Sequence, residues 1–70
     1  MKDHVMSSAP FDRILRKSGA DRVSDTGATA LRDVIEELAE GFAKEAVIVA
    51  RHAGRKTIKK EDIDLVMQRR

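Results

Sequence analysis

The stretch RHAGRKTIKKED, residues 51–62, carries the strongest local charge pattern in the chain. Its first ten residues include five lysines or arginines and no acid, and Glu61 and Asp62 follow directly. Gly54 is typical of a helix end, so this stretch is predicted to link two helices. The formal net charge is only +2, but local charge density sets the field that a polyanion experiences. The stretch therefore indicates nucleic acid as a partner.

The composition limits how a chain of 70 residues can be stabilised. A core of this size buries little apolar surface, and small domains usually add a disulfide, a metal or a partner subunit. The chain has no cysteine, and His4 and His52 are too few and too far apart for a metal-ligand pattern. We therefore expect no metal and no cofactor, and we expect oligomerisation to complete the core.

Membrane and targeting segments are not evident in the sequence. No apolar run approaches the ~20 residues of a membrane span, and the N-terminus lacks the apolar centre of a signal peptide. The expectation is a soluble, intracellular protein with no membrane partner.

Helical patterns account for most of the sequence, and the predicted helices cover residues 10–18, 25–53 and 60–70. Gly19 is predicted to cap the end of the first helix. Either Ser24 or Asp25 is predicted to cap the start of the second helix. The third helix has four apolar residues, Ile63, Leu65, Val66 and Met67. Residues 1–9 are predicted to form a short mobile tail, and residues 10–70 one all-α domain.

The second helix has a continuous apolar face, because apolar residues recur every three or four positions: Leu31, Ile35, Leu38, Phe42, Ala46, Val49 and Ala53. At 1.5 Å per residue, about 26 residues extend over roughly 39 Å, whereas a domain of this length has a radius of gyration of about 11 Å. One chain cannot cover such a face, so the sequence predicts a dimer.

Several short motifs resemble the archaeal-type histones, the minimal, tailless relatives of the nucleosomal core histones. They are Arg13, GADRVS at 19–24, ARHAGRKTIK at 50–59 and EDI at 61–63. The resemblance covers about residues 10–69, and the motif at 50–59 is its most specific part. It implies an all-α histone fold, with a short helix, a long central helix and a short helix, intertwined head to tail as a homodimer.

The resemblance also implies a function, which is to package double-stranded DNA at the chromosome or nucleoid in the cytoplasm, wrapping or compacting it. The implied contacts are Arg22 to the minor groove or phosphates, and Lys56 and Thr57 to phosphate. Arg13 would reach DNA from the centre of the dimer, with Lys59 as a supporting cation. Such groups hold phosphate without reading bases, so little sequence specificity is expected.

Two further contacts are implied by the same resemblance. Arg55 is expected to pair with Asp62 of its own chain and to brace the second loop. His52 is expected to bond Asp62 of another dimer, in a bundle that includes Val49 and Leu65. Many relatives have leucine in place of Val49, and losing one buried methylene removes roughly 0.8 kcal/mol per chain. Tetramers or longer assemblies are therefore expected mainly on DNA.

Other function classes fit the sequence less well. A helix-turn-helix regulator would bring the three carboxylates of residues 61–64 toward DNA. A protein that binds single strands needs exposed aromatic side chains on which bases stack, whereas Phe11 and Phe42 fall on apolar helix faces. An enzyme would need a nucleophile with a base or a recognisable cleft. The main alternative is a histone-fold interaction module that dimerises, with itself or with another histone-fold chain, inside a transcription or chromosome complex and scarcely binds DNA. Such a module would need the apolar face but not the loop cations.

Overall fold

The computed structural model describes residues 4–69 and contains three helices: α1 (Ala9–Lys17), α2 (Asp25–His52) and α3 (Lys60–Gln68). The loops between them contain no strand within this described range. The predicted order of short, long and short helix is confirmed. The predicted starts of the second and third helices agree with the observed ones, and the other boundaries differ by one or two residues. Arg70, the predicted end of the third helix, lies outside the described range.

Two glycines end the first two helices. Gly19 has φ +112°, and Gly54 has φ +73°. These conformations allow the chain to turn back, so that Ala20 N–H donates to Leu15 O (3.1 Å) and Arg55 N–H donates to Ala50 O (2.9 Å). Because each bond satisfies a carbonyl at a helix end, both loops begin at a fixed point.

The start of α2 is capped by a side chain. Ser24 Oγ accepts a hydrogen bond from Gly27 N–H at 3.0 Å, which satisfies one of the free amides of the first turn. Of the two residues suggested by the sequence, Ser24 is therefore the cap, and Asp25 is the first residue of the helix.

The chain divides into two compact units, Met1–Glu37 and Leu38–Arg70. In the described part of the first unit, the buried apolar residues are Phe11 of α1 and Ala28 of α2. In the second unit, they are Ala46, Ala50 and Val66. Because most of these side chains are alanines, each unit has only a small core of its own.

Most large apolar side chains remain in contact with solvent. Along α2, Val34, Leu38 and Ile48 are 53%, 52% and 55% exposed. In α3 only Val66 is buried, and the other three apolar residues are exposed. A soluble monomer rarely exposes a contiguous apolar face of this kind without a partner. The apolar face of α2 is thus only partly covered by its own chain.

The N-terminal segment is held to α2 at three points. The backbone N–H groups of Val5 and Met6 donate to Glu36 Oε2, each at 2.8 Å, and His4 Nδ1 lies 2.8 Å from Glu36 Oε1. The mobility expected for residues 1–9 stays a prediction, and Met1–Asp3 lie outside the described residues. Ala9 belongs to α1.

None of the three helices, within residues 4–69, combines the length and the apolar content that a membrane-crossing helix requires.

Candidate nucleic-acid interface

Two arginines of the first unit are exposed and unneutralised. Arg13 lies on α1 and Arg22 in the loop that precedes α2, and neither side chain forms an ion pair with another described residue. Arg16, by contrast, is held by Asp12, with Nε 2.9 Å from Oδ2. A cation that already has a carboxylate partner contributes less field at a phosphate. Arg13 and Arg22 are therefore better placed than Arg16 to bind an anion.

The cations of the loop between α2 and α3 also divide into those with a carboxylate partner and those without one. Lys56, Thr57 and Lys59 are exposed, and neither lysine forms an ion pair with a carboxylate of the described chain, although the charge of Lys59 helps to lower the pKa of Asp62. Lys60 Nζ lies 2.6 Å from Asp64 Oδ2, and this hydrogen bond raises the pKa of Lys60. The available charge of the loop is therefore at Lys56 and Lys59.

A bidentate salt bridge fixes the shape of this loop. Arg55 Nη1 and Nη2 donate to Asp62 Oδ2 and Oδ1 at 2.8 and 2.7 Å, and Nη1 also donates to Thr57 O at 3.2 Å. Lys59 N–H donates to Asp62 Oδ2 at 2.8 Å. Parallel bonds of this type fix orientation as well as distance. The residues on either side of Lys56 are thus tied to the start of α3.

Asp62 is the buried centre of this network. It is 1% exposed, yet both carboxylate oxygens have hydrogen-bond partners. The hydrogen bond from Arg55, supported by the backbone N–H of Lys59, lowers the pKa of Asp62 from 3.8 to about 2. The same pair raises the pKa of Arg55. Asp62 is therefore ionised at neutral pH, although burial opposes its charge.

Replacing Asp62 with asparagine should lower the melting temperature most at neutral pH and least in acid. Because the folded pKa is depressed, the carboxylate stabilises the fold above its ordinary pKa, and this contribution disappears as the pH falls from about 4 toward 2. The measurement is the melting temperature of both proteins across this range. Asp64→Asn, which alters an exposed pair, is the matched control. A difference that stays constant with pH would contradict the proposed role of Asp62.

Three residues implicated in contacts between dimers line one cleft. Val49, Asp62 and Leu65 border a depression of about 370 Å³ in the second unit. His52 does not line this cleft; it is exposed at the end of α2, beside Ile48 and Arg51. The structure of one chain therefore brings three of the four residues together and leaves His52 on a separate surface.

Some partners were not recognised from the sequence. Asp12–Arg16 and Lys60–Asp64 both have the four-residue spacing of a helical ion pair, so the signal was present. The contact of His4 with Glu36 joins residues 32 positions apart. No local pattern indicates it.

Comparison with known proteins shows the family of this chain. Residues 6–67 match the family described as histone-like transcription factor (CBF/NF-Y) and archaeal histone. The chain is 52% identical over 60 residues to one of the subunits of archaeal histone HAN1 from Thermococcus zilligii, and 42% identical over 60 residues to probable archaeal histone 3 of Methanocaldococcus jannaschii. Both alignments cover 86% of this chain and 90% of the relative.

The helix order and the family match together define a histone-fold protein of the DNA-binding chromatin class. The chain belongs to the family of histone-like transcription factors and archaeal histones. The resemblance found in the motifs at 19–24 and 50–59 is thereby confirmed.

Proposed function

We propose that this protein packages duplex DNA as a head-to-tail dimer, with little sequence preference, at the chromosome. The observation that carries the proposal is the combination, in one chain, of unneutralised cations in both loops with an apolar helix face that the chain leaves open. The names of the relatives at 52% and 42% identity support the same function. An interaction module alone would need the apolar face but not the free cations.

The proposed dimer forms through α2. Val34 and Leu38 are each more than half exposed, and Ile35 is 38% exposed between them. Burying apolar side chains contributes about 1.5–3 kcal/mol for each large residue that becomes fully covered. A second copy of α2 crossing the first would remove these residues from water.

The proposed DNA contacts are to phosphate and the minor groove. Lys56 offers an exposed ammonium, and Thr57 an exposed hydroxyl, on a loop held by the Arg55–Asp62 bridge. Arg22 and Arg13 would supply the corresponding groups of the first loop and of α1, with Lys59 adding charge. A loop held in one conformation loses less entropy when it binds, which favours contact with a regular phosphate backbone.

A nuclease footprint on long duplex DNA tests the packaging proposal. Protection in discrete steps is expected if dimers wrap DNA into repeating particles, because each added unit protects a fixed length. The control is a short duplex at the same ratio of protein to base pairs. Continuous protection would show coating or bridging in place of wrapping, and absence of protection at saturating protein would contradict DNA packaging.

A heteromeric form is a second candidate for the assembly. The relative from Thermococcus zilligii is named as one of the subunits of its histone, which supports a partner of a different sequence. The mass of the purified chain in solution distinguishes the two forms. A folded dimer of this chain alone supports the homodimer, whereas a chain that folds only with a second histone-fold protein supports the heterodimer.

We also propose a contact between neighbouring dimers, in which His52 of one dimer enters the cleft bordered by Val49, Asp62 and Leu65 of another. Asp62 Oδ1 accepts a bond from Arg55 Nη2, and a carboxylate oxygen can accept more than one hydrogen bond. Because Asp62 is 1% exposed, the imidazole reaches it only if the cleft opens slightly. The contact is therefore weak between free dimers and becomes populated when DNA holds them close together.

His52→Ala should shorten the ladder of cross-linked species on long DNA and leave the dimer band unchanged. The reason is that His52 is exposed in its own chain, so its loss does not alter the core. The measurement is ladder length at matched DNA occupancy, with helicity as the check on folding. Asp62→Ala is a poorer test, because it also removes the partner of Arg55. An unchanged ladder for His52→Ala would rule out this interface.

A further inference from the structure

A histidine and two carboxylates meet where the N-terminal segment lies against α2. His4 Nδ1 is 2.8 Å from Glu36 Oε1 and 3.4 Å from Asp33 Oδ1. One ligand atom from each of the three residues lies within 4.8 Å of the other two. Neither the DNA contacts nor the dimer proposed above uses this cluster.

The spacing of the three groups suits a transition-metal ion. With metal–ligand distances of about 2.0–2.2 Å, neighbouring ligand atoms in a tetrahedral or octahedral site lie about 3.0–3.5 Å apart. The two measured distances from His4 Nδ1 lie at or near this range. Side-chain rotations that bring the two carboxylate oxygens to the same spacing would surround an ion.

Glu36 is oriented for such a role by the backbone. Its Oε2 accepts the N–H groups of both Val5 and Met6, each at 2.8 Å, which leaves Oε1 directed toward His4. The side chain is only 7% exposed. Hydrogen bonds that orient one oxygen of a carboxylate ligand are a common feature of metal sites, since they fix the other oxygen.

One neighbouring group competes with a metal. Arg32 Nε and Nη2 each lie 3.1 Å from Asp33 Oδ1, the same oxygen that faces His4. Asp33 is half exposed, and its second oxygen is a further acceptor for Arg32. A dication at the cluster would thus displace the guanidinium of Arg32, which is 15% exposed, from this oxygen.

We propose that His4, Asp33 and Glu36 bind one divalent transition-metal ion of the zinc class, which fastens the N-terminal segment to α2. The imidazole ligand favours zinc, nickel or cobalt over magnesium and calcium, which prefer oxygen ligands alone. Water would complete the coordination, because His4 and Asp33 are both partly exposed. The absence of metal expected from the sequence rested on the lack of cysteine and on the small number and wide separation of His4 and His52, and it left out the carboxylates near His4.

Zinc titrated into the metal-free, full-length protein tests the proposal. Calorimetry should show one saturable site per chain, and the amide resonances of residues 4–6 and 33–36 should shift during the same titration. Magnesium at equal concentration should shift none of them. Absence of saturable zinc binding would overturn the proposal, as would shifts confined to residues around His52.

Matched variants locate the site. His4→Ala and Asp33→Asn alter partly exposed side chains and should each weaken zinc binding by about 10-fold or more, because even indirect supports of a metal site are worth roughly 10–100-fold. Glu37→Gln changes an adjacent exposed carboxylate outside the cluster and should bind zinc as the unaltered protein does. Equal affinities for His4→Ala and the unaltered protein would show that the cluster is not the site. Helicity before the titration confirms that each variant is folded.

Discussion

Lys56→Glu should weaken binding to every duplex tested, on the order of 100-fold at about 0.1 M salt. Each lysine–phosphate contact releases about 0.9 of a counterion when DNA binds, and at this salt concentration the loss of one contact lowers the affinity about 10-fold. A homodimer has two such contacts to lose. Lys56 has no acidic partner in the described chain, so its whole charge is available to DNA. The measurement is the dissociation constant as a function of salt concentration, and the slope should fall by about 2.

Lys44→Glu provides the matched control for this experiment, because it changes the net charge equally at an exposed position of α2 outside both loops. Charges more than a Debye length from the phosphates are largely screened, so Lys44→Glu should reduce affinity by no more than about threefold. Similar losses for both variants would show that net charge, and not the second loop, governs binding. A strong preference for one sequence would contradict packaging and favour a regulator.

Leu38→Glu should abolish the folded dimer, although Leu38 is 52% exposed in the single chain. In an isolated chain, changing so exposed a position alters stability by about 0.5 kcal/mol or less. In the proposed dimer, the same carboxylate is buried without a partner, which costs about 3–5 kcal/mol per chain. Because small domains are stable by only about 5–15 kcal/mol, two such charges remove most or all of the free energy that holds the assembly folded.

Helicity and mass across a dilution series provide the measurement. Unaltered protein should lose helicity as it dissociates, since the stability of an obligate dimer depends on concentration. Leu38→Glu should be unfolded at concentrations where Lys44→Glu, which introduces the same charge off the apolar face, remains a helical dimer. A stable, folded monomer of the unaltered protein at micromolar concentration would contradict the dimer.

Local patterns were sufficient to predict the helices. Gly19 and Gly54 adopt the positive φ that ends a helix, and Ser24 caps α2, as short-range propensities indicate. Of the predicted apolar face of α2, Ala46 is buried within the chain, whereas Leu38 is 52% exposed, so its burial by a partner stays a prediction. Such features depend on residues a few positions apart, and the sequence displays them directly.

Only part of the candidate site could be predicted from the sequence. The sequence indicated which residues are basic, but not which cations are neutralised. Arg13 and Arg16 have the same charge and lie on the same helix, and only the contact with Asp12 distinguishes them. Side-chain rotamers and the direction of each group decide such pairings, and composition alone does not encode them.

The sequence by itself determined the helix order, the helix ends, the charge of the loops and the family. Tertiary structure alone decided which carboxylates are buried and what they contact. Asp62 is enclosed by the Arg55 bridge seven residues away, and Glu36 receives the N-terminal segment across more than 30 positions. The physical reason is the distance along the chain over which each effect acts. Helix propensity and capping act within a few residues, whereas burial of a charge depends on donors that folding brings together from distant parts of the chain.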